Sequence, residues 1–193
     1  TRLVVDTLGA VFGERHWALA TPAHVTLDST GAAVDSLAVV AEGGARVVLA
    51  GEFPSKRPVD ASLRLYQVPV ADLGALVQSR SPLGGLLTLD LSVAGMRASP
   101  TMRLSATADT VRVGEVRIPR LDARGTYANR RLDGELRLVR DNQPAINLTA
   151  SLPIDLAIAE VDRRLIDDSL RVRVQADSMN LALIEAMTPR VTN

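Results

Sequence analysis

Aliphatic residues recur at every second position through most of the chain. In residues 86–95, LLTLDLSVAG, polar residues alternate with the apolar residues Leu87, Leu89, Leu91 and Val93. Because successive residues of a strand point to opposite sides, this stretch predicts a β-strand with one apolar and one polar face. The apolar face of such a strand has to be buried against another layer of the protein or against a ligand.

Similar runs follow one another along the chain, and turn-forming Gly, Asp, Asn or Pro residues separate them. The runs are HVTLD, SLAVVA, ARVVLAGEF, ASLRLYQV, MRLSATA, VRVGEVRIPRLDARG, RRLDGELRLV, PAINLTASL, IDLAIAEV and SLRVRVQA. Their succession predicts an all-β protein built as a long antiparallel meander. A slip of one residue would exchange the two faces, so the inward assignment after each turn stays open.

Two stretches favour short helices instead. VADLGALVQSR at residues 70–80 and MNLALIEAMTPR at 179–190 place a capping residue, Asp72 or Asn180, before apolar residues at helical spacing. Each stretch follows a similar strand-like run, and the spacing of Leu73 and Leu181 indicates a repeat of roughly 108 residues. We therefore predict repeat units over residues 1–81 and 82–193.

Two short helices cannot cover the apolar faces of ten or more strands. Either the sheet folds on itself into a sandwich, or its apolar face stays partly open. Packing statistics favour the sandwich, because contiguous exposed apolar patches on soluble proteins seldom exceed a few hundred Å². An open face would need a ligand.

Composition narrows the classes of function. The chain has 193 residues, of which 47% are hydrophobic and only 3% aromatic, so its apolar surface is almost wholly aliphatic. Codon bias in a GC-rich genome would explain part of that aliphatic excess. With 22 basic and 22 acidic residues the net charge is zero, and no basic patch favours nucleic-acid binding. The absence of cysteine excludes disulfides and thiolate metal sites.

Residue types suited to catalysis are sparse, and the sequence predicts neither an enzyme nor a cofactor or metal site. His16 and His24 are the only histidines, and their spacing matches no metal-ligand pattern. Asp167 and Asp168 are adjacent, so they would face opposite ways in a strand or cap a turn. We expect the lone Trp17 to be a buried structural residue.

Residues 82–158 carry a more specific pattern. It reads G-x-L-x-L-x-L-x-V-x-G, a proline, L-x-A with a tyrosine, L-x-G-x-L-x-L, and L-P-x-D-L. In this respect the chain resembles the repeats of the TamB family, the translocation and assembly module subunits within the wider AsmA-like group of bridge-like lipid-transfer proteins. The matching residues are Gly85, Leu87, Leu89, Leu91, Val93, Gly95, Pro100, Leu121, Ala123, Tyr127, Leu132, Gly134, Leu136, Leu138, Leu152, Pro153, Asp155 and Leu156.

The resemblance implies an elongated, curved antiparallel sheet that forms an open U-shaped hydrophobic groove, the β-taco, with short helical breaks. It implies that residues 1–193 are a fragment of a larger repetitive β-groove protein. That protein would be anchored in the inner membrane of a Gram-negative bacterium and would span the periplasm. Membrane contact would then come through parts outside this chain, and an outer-membrane partner of the barrel-assembly type, similar to TamA, is implied as well.

Two hypotheses for function follow. In the first, phospholipid acyl chains pass along an aliphatic groove without tight binding at any one position. The expected groove residues are Leu87, Leu89, Leu91, Val93, Val111, Val113, Leu136, Leu138, Ile146 and Leu148. In the second, a free sheet edge binds a partner strand by β-augmentation and serves outer-membrane protein assembly.

Three arginines could meet lipid phosphates at the open edge of such a groove. They are Arg112, Arg117 and Arg120. Because they alternate with the apolar set, as residues on any solvated strand face do, we favour the solvated-face interpretation for them.

Overall fold

One antiparallel β-sheet accounts for most of the computed structural model, which describes residues 1–12, 15–76, 83–140 and 143–176. One short helix, α1 (Val70–Leu76), accompanies the sheet in these residues. The strands are β1 (Arg2–Val5), β2 (Gly9–Phe12), β3 (Arg15–Leu19), β4 (Ala23–Asp28), β5 (Gly31–Ala41), β6 (Arg46–Pro54), β7 (Val59–Pro69), β8 (Leu83–Met96), β9 (Ser99–Val113), β10 (Val116–Ala128), β11 (Arg131–Arg140), β12 (Gln143–Pro153) and β13 (Arg171–Ala176).

The strands follow one another in space almost as they do in sequence. The order is β1-β4-β5-β6-β7-β8-β9-β10-β11-β12-β13, while β2 pairs with β3 and β3 pairs with β5. The first half of β5 therefore lies beside β4 and its second half beside β3. In effect β3 and β4 form one interrupted strand, and β1 and β2 form a second interrupted strand at the edge of the sheet. The predicted all-β meander is confirmed as an open antiparallel sheet.

Two details of the sequence interpretation change. The run VRVGEVRIPRLDARG is divided between β9 and β10 by a turn at Gly114, whose φ is 59°. The run IDLAIAEV, at residues 154–161, is wrongly predicted as a strand. The neighbouring residues Asp155 and Leu156 are both at least partly buried. The N–H groups of this run bond to the turn carbonyls of Arg130 and Arg97, to the Tyr127 hydroxyl and to the Arg164 carbonyl instead of forming a ladder with one strand.

The helix predictions have a mixed outcome. The helix expected from VADLGALVQSR is confirmed over Val70–Leu76. Residues 77–80 of that stretch, and the whole second helix predicted at 179–190, lie outside the described residues. The proposed repeat of about 108 residues therefore stays a prediction.

β-bulges keep the aliphatic residues on one face, called here the apolar face, which carries Leu89 and its in-register partners. The opposite side, the polar face, carries Asp90. Leu65 and Val68 of β7 are three positions apart and would point to opposite sides of a regular strand. Between them the register shifts, so that they pair with Leu89 and Leu87 of β8. The extra residue lies near Gln67, whose φ of 46° marks the irregularity.

The polar face is an ordinary solvated surface with short-range ion pairs. Arg64 Nε lies 3.3 Å from Asp90 Oδ1, and Arg137 Nη2 lies 2.8 Å from Glu135 Oε1. Because the arginines of both pairs are well exposed, each pair contributes at most about 1 kcal/mol. Stability therefore depends mainly on the backbone ladder and on the contacts of the apolar face.

Two glycines on the apolar face provide a matched test of backbone packing. A Cβ on Gly51, whose φ is 150°, would lie 2.5 Å from both Cα and Cβ of Ala61, whereas a Cβ on Gly134 would come no closer than 3.6 Å to the Arg124 carbonyl oxygen. We expect Gly51→Ala to lower the free energy of unfolding by more than about 2 kcal/mol and Gly134→Ala to change it by less than about 1 kcal/mol. Denaturant titration of both variants checks this, and equal losses would contradict the described pairing of β6 with β7.

Candidate functional site

The register places the predicted groove residues side by side. Residues directly opposite on antiparallel strands share a face. Leu89 lies opposite Ala106 of β9, and Ala106 lies opposite Ala123 of β10. Leu136 of β11 and Leu148 of β12 continue the same row. A line of aliphatic side chains thus crosses five consecutive strands at right angles to them.

A second row runs next to the first and contains the best-buried part of the face. Leu87 begins it, and Leu138 and Ile146 form opposite partners at its far side. Val111 and Ile118 pack with Leu138 in one buried cluster. The apolar face therefore contains all ten predicted groove residues: Leu87, Leu89, Leu91, Val93, Val111, Val113, Leu136, Leu138, Ile146 and Leu148. Their role as a groove stays a prediction.

Sequence reasoning left out a large part of the same face. The row of Leu89 continues into Leu65 of β7, Val47 of β6 and Val39 of β5. In the next row, Leu37, Leu49, Leu63 and Leu104 were left out as well, and they lie in line with the predicted Leu91. Each of these residues stands in an alternating run, but only the strand register shows that the runs meet on one face.

Burial shows that no second layer covers the middle of this face in the part of the chain that the structure describes. In the core between two packed sheets the central aliphatic residues would be almost wholly buried. Here Leu136 is 37% and Val113 is 44% exposed, while Val111 and Leu138 are 7% and 8% exposed. Leu89 and Leu91 are half-buried. The described strands form one open sheet, and the exposure of these residues does not fit the sandwich favoured by packing statistics.

Helix α1 covers one end of the strands on the apolar face. Its Leu73 packs against a buried cluster of Trp17, Ala45 and Val68. Asp72 of the same helix is buried, and its Oδ2 lies 3.6 Å from Nε of Arg15 at the start of β3. Trp17 is buried, as predicted.

A loop covers the opposite end of the strands, and we call residues 154–168 the end strap. The N–H of Leu156 donates to the hydroxyl of the buried Tyr127 at 2.8 Å, and the N–H of Ile158 donates to the carbonyl of Arg97 at 2.8 Å. Arg130 Nε lies 3.0 Å from Oδ2 of the buried Asp155. The strap therefore passes from the end of β12 to the β8–β9 turn.

Between α1 and the end strap a strip of apolar surface runs across the strands. The three rows that cross β7 to β12 contain only Gly, Ala, Val, Leu and Ile side chains in the described residues. Their members on these strands are Val68, Leu87, Ala108, Leu121, Leu138, Ile146; Leu65, Leu89, Ala106, Ala123, Leu136, Leu148; and Leu63, Leu91, Leu104, Gly125, Gly134, Ala150. Such a surface is suited to contact with apolar groups, and the side chains of these rows offer no group for acid–base chemistry.

The titratable groups with shifted pKa values serve turns outside this strip. The Thr30 hydroxyl, which donates to Asp28 Oδ1 at 2.6 Å, and the Thr30 N–H lower the pKa of Asp28. The N–H of Ser169 lowers the pKa of Asp168, and the nearby Arg131 adds to that effect. His16 and His24 are exposed. The described residues contain no cluster of three or more His, Asp or Glu side chains able to hold a metal ion.

The described strands thus form an open antiparallel sheet with one apolar and one polar face. No helix in the described ranges has both the length and the apolar character to cross a membrane. Comparisons of the chain with protein-family models, with curated proteins and with solved structures found no match. The likeness to the TamB family therefore rests on the sequence pattern alone.

Two leucines of β11 test whether the strip is open. Arginine at position 136 can extend its charge into water, whereas arginine at position 138 would displace side chains in the cluster with Val111 and Ile118. We expect Leu136→Arg to cost about 1 kcal/mol or less and Leu138→Arg about 3 kcal/mol or more. Chemical denaturation followed by circular dichroism measures both, and a large loss for both variants would mean that another layer covers Leu136.

Proposed function

We propose that the apolar strip binds lipid acyl chains. On this proposal the chain is a segment of a periplasmic hydrophobic groove that conducts phospholipids between the inner and outer membranes and supports outer-membrane biogenesis. The observation that carries the proposal is the incomplete burial of the in-register aliphatic rows between α1 and the end strap. An apolar surface of this extent needs an apolar partner in water.

The composition of the strip suits the movement of acyl chains along it better than their tight binding at one position. Transfer of each acyl CH₂ from water to an apolar surface contributes about 0.8 kcal/mol, so several contacts are enough to hold a chain. Neighbouring rows repeat the same aliphatic side chains, and no polar group within them would select one position of the chain. A bound chain could then move from one strand to the next without a large change in free energy.

The shape of the groove is part of the proposal. Twisted open sheets of more than about ten strands usually curl, split into two packed sheets or flatten. We propose that the sheet curves with its apolar face inward into the U shape of a β-taco. The polar face, with Arg64, Asp90 and similar exposed residues, would then meet water on the outside.

A second candidate function is supported by the edge strand β13. All six of its residues are exposed, and its one neighbouring strand in the described sheet is β12. Val174 lies opposite Leu148, so an added strand would continue the apolar rows. This edge favours a protein-interaction module that binds an outer-membrane partner of the barrel-assembly type, similar to TamA, by β-augmentation.

A charge on the apolar strip tests the lipid proposal. We expect Leu89→Asp to reduce the phospholipid that copurifies with the protein roughly tenfold, because loss of contact with two methylenes costs about 1.6 kcal/mol. Ser92→Asp adds the same charge to the polar face of the same strand and serves as the control. Native mass spectrometry with lipid extraction measures both variants, and circular dichroism confirms that both are folded.

The outcomes of this experiment separate the two functions. Wild-type protein that is folded but free of lipid would count against the groove. An equal loss of lipid in Leu89→Asp and Ser92→Asp would show that the polar face takes part, and this too would contradict the proposal.

A proline in the free edge tests the second candidate. Val174→Pro removes a backbone donor from β13 and should weaken pairing with an incoming strand, while Leu89 and its neighbours stay unchanged. We expect this variant to keep its lipid and, if the edge is a docking site, to bind a purified barrel-assembly partner at least tenfold more weakly. Unchanged partner binding in surface plasmon resonance would exclude β13 as the docking edge.

A further inference from the structure

Arg112 of β9 and Arg117 of β10 lie directly opposite each other on the polar face. Both are exposed, and neither makes an ion pair within 4 Å among the described residues. Like charges at directly opposed positions of two strands destabilise a sheet. Arg120, the third arginine singled out in the sequence, differs because its Nε lies 2.9 Å from Asp122 Oδ1.

The two arginines stand where the polar face meets the end of the apolar face. They are one position from the last pair of the β9–β10 hairpin, Val113 with Val116, which is about 3.4 Å along the strand. Val111 and Ile118 flank them in sequence, point to the opposite side and are buried. A long guanidinium side chain can extend past a strand end while its stem follows the backbone.

The surroundings of Arg112 show how the opposed charges are accommodated. A Cβ placed on Gly84 of β8 would lie 3.5 Å from Arg112 Nε and 3.7 Å from its Nη2. The guanidinium of Arg112 therefore lies over Gly84, on the side of β9 away from β10. This arrangement turns the Arg112 guanidinium away from the strand that carries Arg117.

We propose that Arg112 and Arg117 form a site for the anionic phosphate of a lipid whose acyl chains lie on the apolar face near Val113. Guanidinium groups bind phosphate oxygens through two parallel hydrogen bonds, and a bridging phosphate would offset the repulsion between the two arginines. Glu115 stands in the hairpin turn beside them and opposes anion binding, which keeps the affinity moderate. This inference rests on the proposed acyl-chain function and adds the residues that would recognise the phosphate of the lipid.

The experiment compares two lipids with identical fluorescent acyl chains, phosphatidylglycerol and diacylglycerol, transferred from neutral vesicles to the full chain. Wild-type protein should take up phosphatidylglycerol in preference to diacylglycerol. Arg117→Gln should lower phosphatidylglycerol uptake about tenfold and leave diacylglycerol uptake unchanged. Glu115→Gln should raise phosphatidylglycerol uptake. Arg103→Gln, which removes an exposed arginine from the middle of β9, is the control and should change neither.

A stability measurement adds a readout independent of lipid. Because Arg117→Gln removes a like-charge pair, its thermal midpoint without lipid should equal or exceed that of the wild type. A variant that binds less phosphatidylglycerol only because it is partly unfolded would show a lower midpoint, and that result would overturn the assignment.

The outcomes separate this inference from the proposed function. If the wild type takes up neither lipid, the acyl-chain function fails and the head-group site fails with it. If it takes up both equally, or if Arg103→Gln acts like Arg117→Gln, the strip binds acyl chains but the two arginines are not a head-group site. Competition by free glycerol 3-phosphate as effective as by the lipid would assign the pair to soluble phosphates and overturn the lipid site.

Discussion

The register between neighbouring strands is the constraint on which the whole structure depends. Each strand carries its aliphatic residues at alternate positions, and only one alignment with its neighbours brings them to a common face. The ladder of backbone hydrogen bonds then holds eleven successive strands in one layer. In the part of the chain that the structure describes, only small clusters, such as Trp17, Ala45 and Val68, resemble a conventional core. A slip in one hairpin would therefore damage the apolar face before it damaged the hydrogen bonding.

The irregular features make sense as means of keeping that register. The bulges near Gln67 and Gly85 each accommodate one extra residue, and without it the valines that follow, Val68 and Val111, would point to the polar face. The end strap and α1 close opposite ends of the strands without covering the middle rows. Gly51 lies so close to Ala61 that a side chain at this position would overlap it, so the sheet requires glycine there. Local irregularity thus protects long-range order across the sheet.

The strands were predictable from the sequence because alternation is a local signal that each run carries by itself. The helix at Val70–Leu76 was predictable for the same reason, through the spacing of its leucines. The predicted capping role of Asp72 is wrong, because the helix begins at Val70 and Asp72 lies within its first turn, facing Arg15. The end strap was not, because IDLAIAEV alternates like a strand while its hydrogen-bond partners, such as Tyr127 and Arg97, are distant in sequence. Equally, the link between Leu89 and Leu136 depends on two intervening strands and cannot be derived from either run alone.

An open aliphatic face makes stability and function depend on each other. Exposed rows of leucine and valine are liabilities for aggregation, and so is the edge strand β13, which has no outer neighbour among the described residues, although Arg171 and Arg173 place charge on that edge. A ligand that occupies the strip removes apolar surface from water and stabilises the folded state by an amount that grows with the logarithm of its concentration above the Kd. A better-covered face would make the protein more stable alone but would leave no surface for acyl chains. A lipid-binding role would therefore require the partial burial of the middle rows. In a protein without an apolar ligand the same exposure would only lower stability and favour aggregation.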